Sequence, residues 1–409
     1  MEGYKQMRLN FNNMLFALSY ALDCVENEMK GVATNHGKRV AFLCVFMGKC
    51  LGLNREQIVD LAACAVLHDN ALAEYIYSEY SYGANQLIDK ENAQPIRHCI
   101  LGEENVSKLP LCDEAQNAVL YHHENADGTG PFGKNEAETP IFAQLIHISD
   151  QIDGIWHLGS IDEENYKKAL KFIEQNTGTL FSKQCVEVFV ENINYDVITR
   201  LRDENIDKFL KAEVGESIRE YSEEQIIHII GIFANIIDYK SKFTMYHSVG
   251  VAKKAFEMSL HFGSDSITAT KMFVAGALHD IGKLAISKDI LEKPDKLTDI
   301  EYKNVQNHAY YTYNILKEIK GFEDITQWAS LHHEKLNGRG YPFGKKAEEL
   351  TFNARLMACL DVYQALTEDR PYKKGLSHKD SMEILNEMVT DGSLDEKIVI
   401  EIGKVYNNC

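Results

Sequence analysis

The chain has 409 residues, with 43 Lys and Arg against 61 Asp and Glu and a formal net charge of −18. That length suits two or three domains with cores of their own, and 45% hydrophobic with 25% charged residues is ordinary for a globular chain. An acidic chain without a long basic run is a poor partner for a nucleic-acid polymer or an anionic membrane, so a phosphate ligand must be attracted locally, by metal ions or a few basic side chains.

The N-terminus, MEGYKQMRLN, is too polar for a signal peptide, and nowhere do about 18 apolar residues run together. Nine cysteines, an odd number without a CxxC pair, read as reduced thiols. A soluble cytoplasmic protein is therefore expected, with a homodimer as the oligomer to test.

In chain order, Phe11, Leu15, Leu18, Leu22 and Val25 step by three and four and predict an amphipathic helix, followed by another that opens at Asn35-His36. Helices are expected again at about 162–193. The stretch around 196–215 alternates charges with Ile, Leu and Phe and reads as a helical connector. Ile226, Ile229, Ile230, Phe233 and Ile237 repeat the helical spacing, and a helix opens at Tyr246-His247. Ser222 with Gln225, Thr298 with Glu301, and Ser377 with Asp380 resemble helix-start caps, the last leading into helices over about 377–406. Strand signals are weak and only seven prolines occur, so the expected class is all-α.

Ten of the fifteen histidines fall in two sets that keep step. His36, His68-Asp69, His98, His122-His123 and Asp150 return as His247, His279-Asp280, His308, His332-His333 and Asp361, at offsets of 210 or 211 residues. Neighbouring residues repeat too: Ala65-Val66-Leu67 precedes His68-Asp69 as Gly276-Ala277-Leu278 precedes His279-Asp280, and Glu follows each His-His pair. Unrelated core histidines have no reason to keep register. His147, His157, His228, His261 and His378 lie outside the sets and are expected to be core residues.

Each set offers five imidazoles and two carboxylates spread over several helices. Seven ligands exceed what one tetrahedral zinc needs and suit two ions bridged by a carboxylate. Nitrogen and oxygen ligation without cysteine favours iron or manganese, with nickel, cobalt, magnesium and zinc as alternatives. Two such ions lower the pKa of a bridging water and neutralise a phosphate, which fits phosphoester hydrolysis.

His279-Asp280-Ile281-Gly282-Lys283, His332-His333-Glu334, Asn337-Gly338-Arg339-Gly340-Tyr341-Pro342, Asp361 and Arg370-Pro371-Tyr372 together resemble the HD-GYP subgroup of the HD phosphohydrolase superfamily. The resemblance covers His247 to Lys373. It implies a helical domain with a two- or three-metal centre that hydrolyses cyclic dinucleotides, cyclic di-GMP in most members and cyclic GMP-AMP in some. By motif, His247, His279, Asp280, His308, His332, His333 and Asp361 become metal ligands, with Asp280 bridging. Lys283, on the same helix face as Asp280, meets the scissile phosphate, so Lys283 and Asp280 are the catalytic candidates. Arg370 and Lys373 resemble substrate-holding cations, and Gly340, Tyr341 and Pro342 shape the loop beside the site. Three-metal members carry a carboxylate four residues before the first histidine; Phe243 and Val32 stand there, so two ions and a linear dinucleotide product are expected.

The first copy keeps the second ligand set, His36, His68, Asp69, His98, His122, His123 and Asp150, but differs around it. Leu72 stands where Lys283 stands, Asp127-Gly128-Thr129-Gly130-Pro131-Phe132 lacks the tyrosine, and nothing after Asp150 resembles Arg370-Pro371-Tyr372. The expected organisation is a degenerate HD domain over 1–195, a connector over 196–221 and an HD-GYP phosphodiesterase domain over 222–409, from an internal duplication. The first domain is expected to hold metal while being weakly active or regulatory; two working halves, or metal kept for stability alone, are the alternatives. For the whole chain the other readings are a cyclic-dinucleotide receptor that does not cut its ligand and an HD phosphohydrolase acting on another nucleotide. No sensor domain is visible.

Overall fold

Apolar residues spaced by three and four become helices packed by their apolar faces, and the chain is all-α. The structure, a computed structural model, describes residues 6–30, 34–72, 94–239, 247–293, 295–369 and 374–407. Among them the one sheet has two strands, Gln6–Asn10 paired with Ile218–Ser222. Two compact units emerge, Asn10–Arg219, and Met1–Leu9 with Glu220–Cys409.

The first unit is built on helix His36–Cys50, whose Val40 to Val45 are all buried. A helix apolar on every side belongs at the centre of its layer, and helices Arg55–Val66, Ile141–Trp156 and Ile206–Val214 pack around it. Residues 196–219 group with this unit rather than standing apart as a connector. Leu210 and Val214 are buried, and Lys38 and Lys49 pair with Asp207 and Glu213 at 2.9 and 2.6 Å.

In the second unit helix His247–His261 lies against helix Ser266–Leu278. Gly276 permits that approach: a Cβ there would sit 2.8 Å from the Ala252 Cα. Helices Glu223–Tyr239, Asp299–Leu316, Glu323–Ser330 and Phe352–Thr367 complete the core.

The caps read from sequence start their helices. Thr298 and Glu301 form a reciprocal capping box, and Ser222 and Gln225 exchange the same two bonds. Ser377 caps through the Asp380 amide, while the shorter Asp380 carboxylate takes the Ser377 hydroxyl instead of the backbone. Each such cap contributes about 1 kcal/mol. Of the five histidines expected in the core only His147 is buried; His157 and His261 are exposed, and His228 and His378 are half-buried. His157 closes helix Ile141–Trp156 in the left-handed region (φ 49°), and His261 and His378 bind Glu401 and Tyr363 at 2.8 and 2.9 Å. Helical spacing places a histidine on a face, but its polar ring leaves that face free to be wet.

Candidate metal centres

Each ligand set lies at helix ends, in turns and inside two helices, and several of the histidines have a main-chain carbonyl within reach of the ring. His68 and His279 follow the ends of helices Arg55–Val66 and Ser266–Leu278, and their Nδ1–H groups donate to the carbonyls of Ala65 and Gly276 at 2.8 and 2.7 Å. His122 and His332 do the same to Val119 and Ala329, at 2.6 and 2.5 Å, and His308 to Val305 at 2.6 Å. A proton fixed on Nδ1 leaves the lone pair on Nε2, turned inward.

The first histidine of each set is oriented by a carboxylate instead. His36 donates from Nδ1 to Asp153 at 2.7 Å, and His247 to Glu368 at 2.8 Å. Their helix N-termini are held by an acid from the preceding helix. Asp23 accepts from the amides of Asn35 and Gly37 (2.7 and 3.0 Å), and Asp238 from that of Ser248 (3.0 Å). An anion is favourable at that end of a helix.

In the second unit Asp280 sits between two groups of imidazoles. Its Oδ2 lies 3.3 Å from His279 Nε2, and its Oδ1 lies 3.3 and 4.0 Å from the Nε2 atoms of His308 and His332. Asp361 lies 3.0 and 3.6 Å from His247 and His279 and 3.7 Å from His333. The first unit repeats the plan. Asp69 is 3.1, 3.6 and 3.8 Å from His98, His122 and His68, and Asp150 is 3.1 and 3.8 Å from His36 and His68. His123 completes it, its ring 5.2 Å from that of His98. All fourteen expected ligands are thus gathered into two cages.

The donor set fits cations. Nε2 of His68, His122 and His279 and Oδ1 of Asp280 are buried without a hydrogen-bond partner. A buried polar atom in that state costs about 1–3 kcal/mol, and lone pairs converging from separate helices are what a metal ion satisfies. Burial raises the Asp280 and Asp361 carboxyls, but Lys283 and His279 hold Asp280 well below its ordinary range, and the hydrogen bond from His247 with the nearby His279 ring does so for Asp361. Burial keeps His308, His332 and His333 neutral, the last at about 3. Burial also opposes a charge on His247, yet its bonds to Asp361 and Glu368 bring it up to about 9. A metal ion among the same carboxylates competes with that proton.

Lys283 binds Asp280 directly, the contact expected of it, but on a tighter scaffold than an α-helix. Helix Ser266–Leu278 stops at His279, and residues Ile281–Ala285 form a 3-10 turn that eclipses side chains three apart. Gly282 allows the turn to lie on the next ligand helix: a Cβ there would fall 2.0 Å from the His308 carbonyl oxygen. Leu72, at the matching place of the first unit, is buried and brings no charge.

Gly340, Tyr341 and Pro342 fold back over the cage, with the Tyr341 ring 4.7 Å from that of His333. Glu334 anchors this loop by accepting from the amides of Phe343 and Lys345 (2.7 and 3.0 Å), as Glu124 does from those of Phe132 and Lys134. Glycine is required at Gly340, where a Cβ would lie 2.4 Å from the Lys335 nitrogen. Arg370, Lys373, Phe243 and Val32 lie outside the described residues.

Sequence reasoning missed several participants. Asp153 also takes the Nε–H of the fully buried Arg39 at 2.7 Å, forming a His36–Asp153–Arg39 chain. In the second unit Gln364, at the matching offset, accepts from Lys254 (2.8 Å) and donates to Glu368 (3.1 Å). A cysteine also stands beside the ligand histidines of the first unit. Cys99 is buried with its Sγ 3.6 Å from His98 Nε2 and 3.9 Å from His122 Nδ1. The one sequence signal for it was its place beside a ligand histidine, where the second copy has Ala309.

All-helical domains that gather histidines and a His-Asp pair into a buried cage define the HD class, here present twice. The HD domain profile matches residues 25–184 and again 231–398, and the chain belongs to the HD-domain family. Its second copy carries the glycine, tyrosine and proline of the HD-GYP subgroup. It is similar to 3'3'-cGAMP-specific phosphodiesterase 1 of Vibrio cholerae, at 28% identity over 96% of this chain and 91% of that one. It is also similar to a cyclic di-GMP phosphodiesterase of Pseudomonas aeruginosa, at 32% identity over 44% of each chain. A crystal structure of a cyclic GMP-AMP specific phosphodiesterase of V. cholerae, V-cGAP3, superposes with a TM-score of 0.66 at 22% identity over 99% of both chains, which speaks to the fold. No helix among the described residues is long and apolar enough to cross a membrane.

Proposed function

We propose that the chain is a metal-dependent phosphodiesterase that opens a cyclic dinucleotide, cyclic di-GMP or 3'3'-cyclic GMP-AMP, in its C-terminal half. The observation that carries the reading is Lys283 on Asp280 at the rim of a complete cage, where the N-terminal copy has the uncharged Leu72. The named activities of the similar proteins supply the substrate class.

His247, His279, Asp280 and Asp361 would hold one ion and His308, His332 and His333 a second, with Asp280 between them. Iron or manganese suits a set of imidazoles and carboxylates. When bound, such ions acidify a water and neutralise phosphate charge. Lys283, with 20% of its side chain exposed, offers its ammonium to the oxygen that gains charge as the ester breaks. Tyr341 walls one side of the cage, and Glu334 keeps that wall in place. Phe243 offers no ligand before His247, which favours two ions and a linear dinucleotide. Arg370 and Lys373 are proposed to hold the substrate. The free state of the described cysteines suits a reducing cytoplasm.

Leu72 in place of a lysine favours a second reading for the N-terminal half alone, that of a metal-loaded regulatory domain. Incubating manganese- or iron-loaded protein with each dinucleotide, beside Asp280→Ala and Asp69→Ala, tests both. Linear product from wild type and Asp69→Ala but not from Asp280→Ala is expected. No turnover of either dinucleotide would refute the proposal, and equal loss in both variants would refute the assignment to one half.

A further inference from the structure

We infer that Lys254 is a positioning residue for the C-terminal metal centre, acting on His247 through Gln364 and Glu368. Its Nζ donates to Gln364 Oε1 at 2.8 Å, and Gln364 Nε2 donates to Glu368 Oε2 at 3.1 Å. The same Glu368 oxygen accepts the Nδ1–H of His247 at 2.8 Å, and the far nitrogen of that ring faces Asp361 inside the cage at 3.0 Å. An ammonium can only donate, so it holds the Gln364 oxygen toward itself and leaves the NH2 group for the carboxylate. Without Lys254 the amide can turn over, which would set its oxygen against the Glu368 charge. The Gln364 and Glu368 side chains are buried, so water screens them little and each bond in the chain polarises the next.

The N-terminal cage reaches the same arrangement with different residues. There the buried Arg39 donates to Asp153 at 2.7 Å, and Asp153 accepts from the Nδ1–H of His36 at 2.7 Å. At the offset of 211 that relates His36 to His247, Arg39 corresponds to Gly250, Leu43 to Lys254, Asp153 to Gln364 and His157 to Glu368. Cation and carboxylate have each moved one helical turn along the chain, and a glutamine bridges the gap between them. The moves depend on each other: a Cβ at Gly250 would run into the Gln364 amide, so the cation cannot take the Arg39 place while Gln364 bridges. Both copies thus keep a cation behind the first histidine by unrelated side chains, which marks it as something that ligand needs. Lys254 also lies 5.6 Å from the centre of the Tyr406 ring, a contact that would serve stability alone. The inference rests on His247 being a metal ligand and not on turnover.

Nuclear magnetic resonance of zinc-loaded full-length protein with isotope-labelled histidines reads the chain at one ring. The Nδ1–H resonance of His247 is identified by its loss in His247→Ala. In Lys254→Met that resonance should shift. The free zinc needed to hold the His247 ring in its metal-bound state, set by a chelator buffer, should rise by about 3–30-fold, the range for residues that modulate a site from outside it. Gln364→Met should do the same, and adding Lys254→Met to it should change little more, because one broken chain cannot be broken twice. A Lys254→Met protein with a lowered melting temperature but an unmoved resonance and zinc demand would overturn the inference, as would full additivity of the two substitutions. Zinc retained undiminished by His247→Ala, counted by elemental analysis, would overturn it together with the metal centre itself.

Discussion

Glu368 accepts the Nδ1–H of His247 at 2.8 Å, and the opposite nitrogen of that ring faces Asp361 at 3.0 Å. The outer carboxylate thus sets both the tautomer and the orientation of a ligand it does not itself become. Glu368→Ala is expected to lower metal affinity of the C-terminal half by about 10–100-fold. Competition with a chromophoric chelator measures this, and an unchanged affinity would remove Glu368 from the site.

Lys283→Met removes the cation from Asp280 while keeping the length of the side chain. Turnover of the cyclic dinucleotide should fall by about 10²–10³ in kcat, with bound metal per chain unchanged by elemental analysis. A variant that loses metal in proportion to activity would mean that Lys283 supports the cage and not the reaction.

The His36–Asp153–Arg39 chain gives a pH-dependent contribution to stability. Burial raises the Asp153 carboxyl, but Arg39 and His36 more than offset this and hold it below its ordinary value. A depressed folded value stabilises above the unfolded carboxylate value of about 3.9 and is lost as pH falls below it. Asp153→Asn should cost about 3–5 kcal/mol at neutral pH, measured by denaturant unfolding, and the gap to wild type should close below about pH 4. A gap independent of pH would mean that packing, not charge, is what the substitution removes.

Gly282→Ala should lower stability by about 1–3 kcal/mol, because the added carbon falls on the His308 carbonyl. The ligand helix must yield, so metal retention should drop with the melting temperature. The first unit has Ala71 at this place and serves as the control, since Ala71→Gly should leave its metal untouched.

Removing metal should destabilise the chain. For an ion at about 1,000 times its Kd, binding contributes about 4 kcal/mol, so a melting temperature that ignores chelation and metal return would count against both cages.

The ligands were legible because every one of them had to recur at a fixed distance, and a duplicated cage prints its spacing twice. Their supports were not. Asp153 and Glu368 perform the same task one helical turn apart, so the offset that finds His247 from His36 leads from Asp153 to Gln364 instead. Asp23 lies 12 residues from the Asn35 amide and Asp238 10 from that of Ser248, so no common offset links them, and Cys99 shows itself only once its neighbour's ring is placed in space. The 3-10 turn under Lys283 was read as α-helix because three-residue spacing suits both.

Five of the cage imidazoles take their bearing from peptide carbonyls rather than from other side chains. No single codon change can delete such a partner. A gene copy freed from its original duty can therefore alter its loop, its lysine and its neighbours one after another while these rings still point inward, leaving a ready socket for whatever new task selection finds.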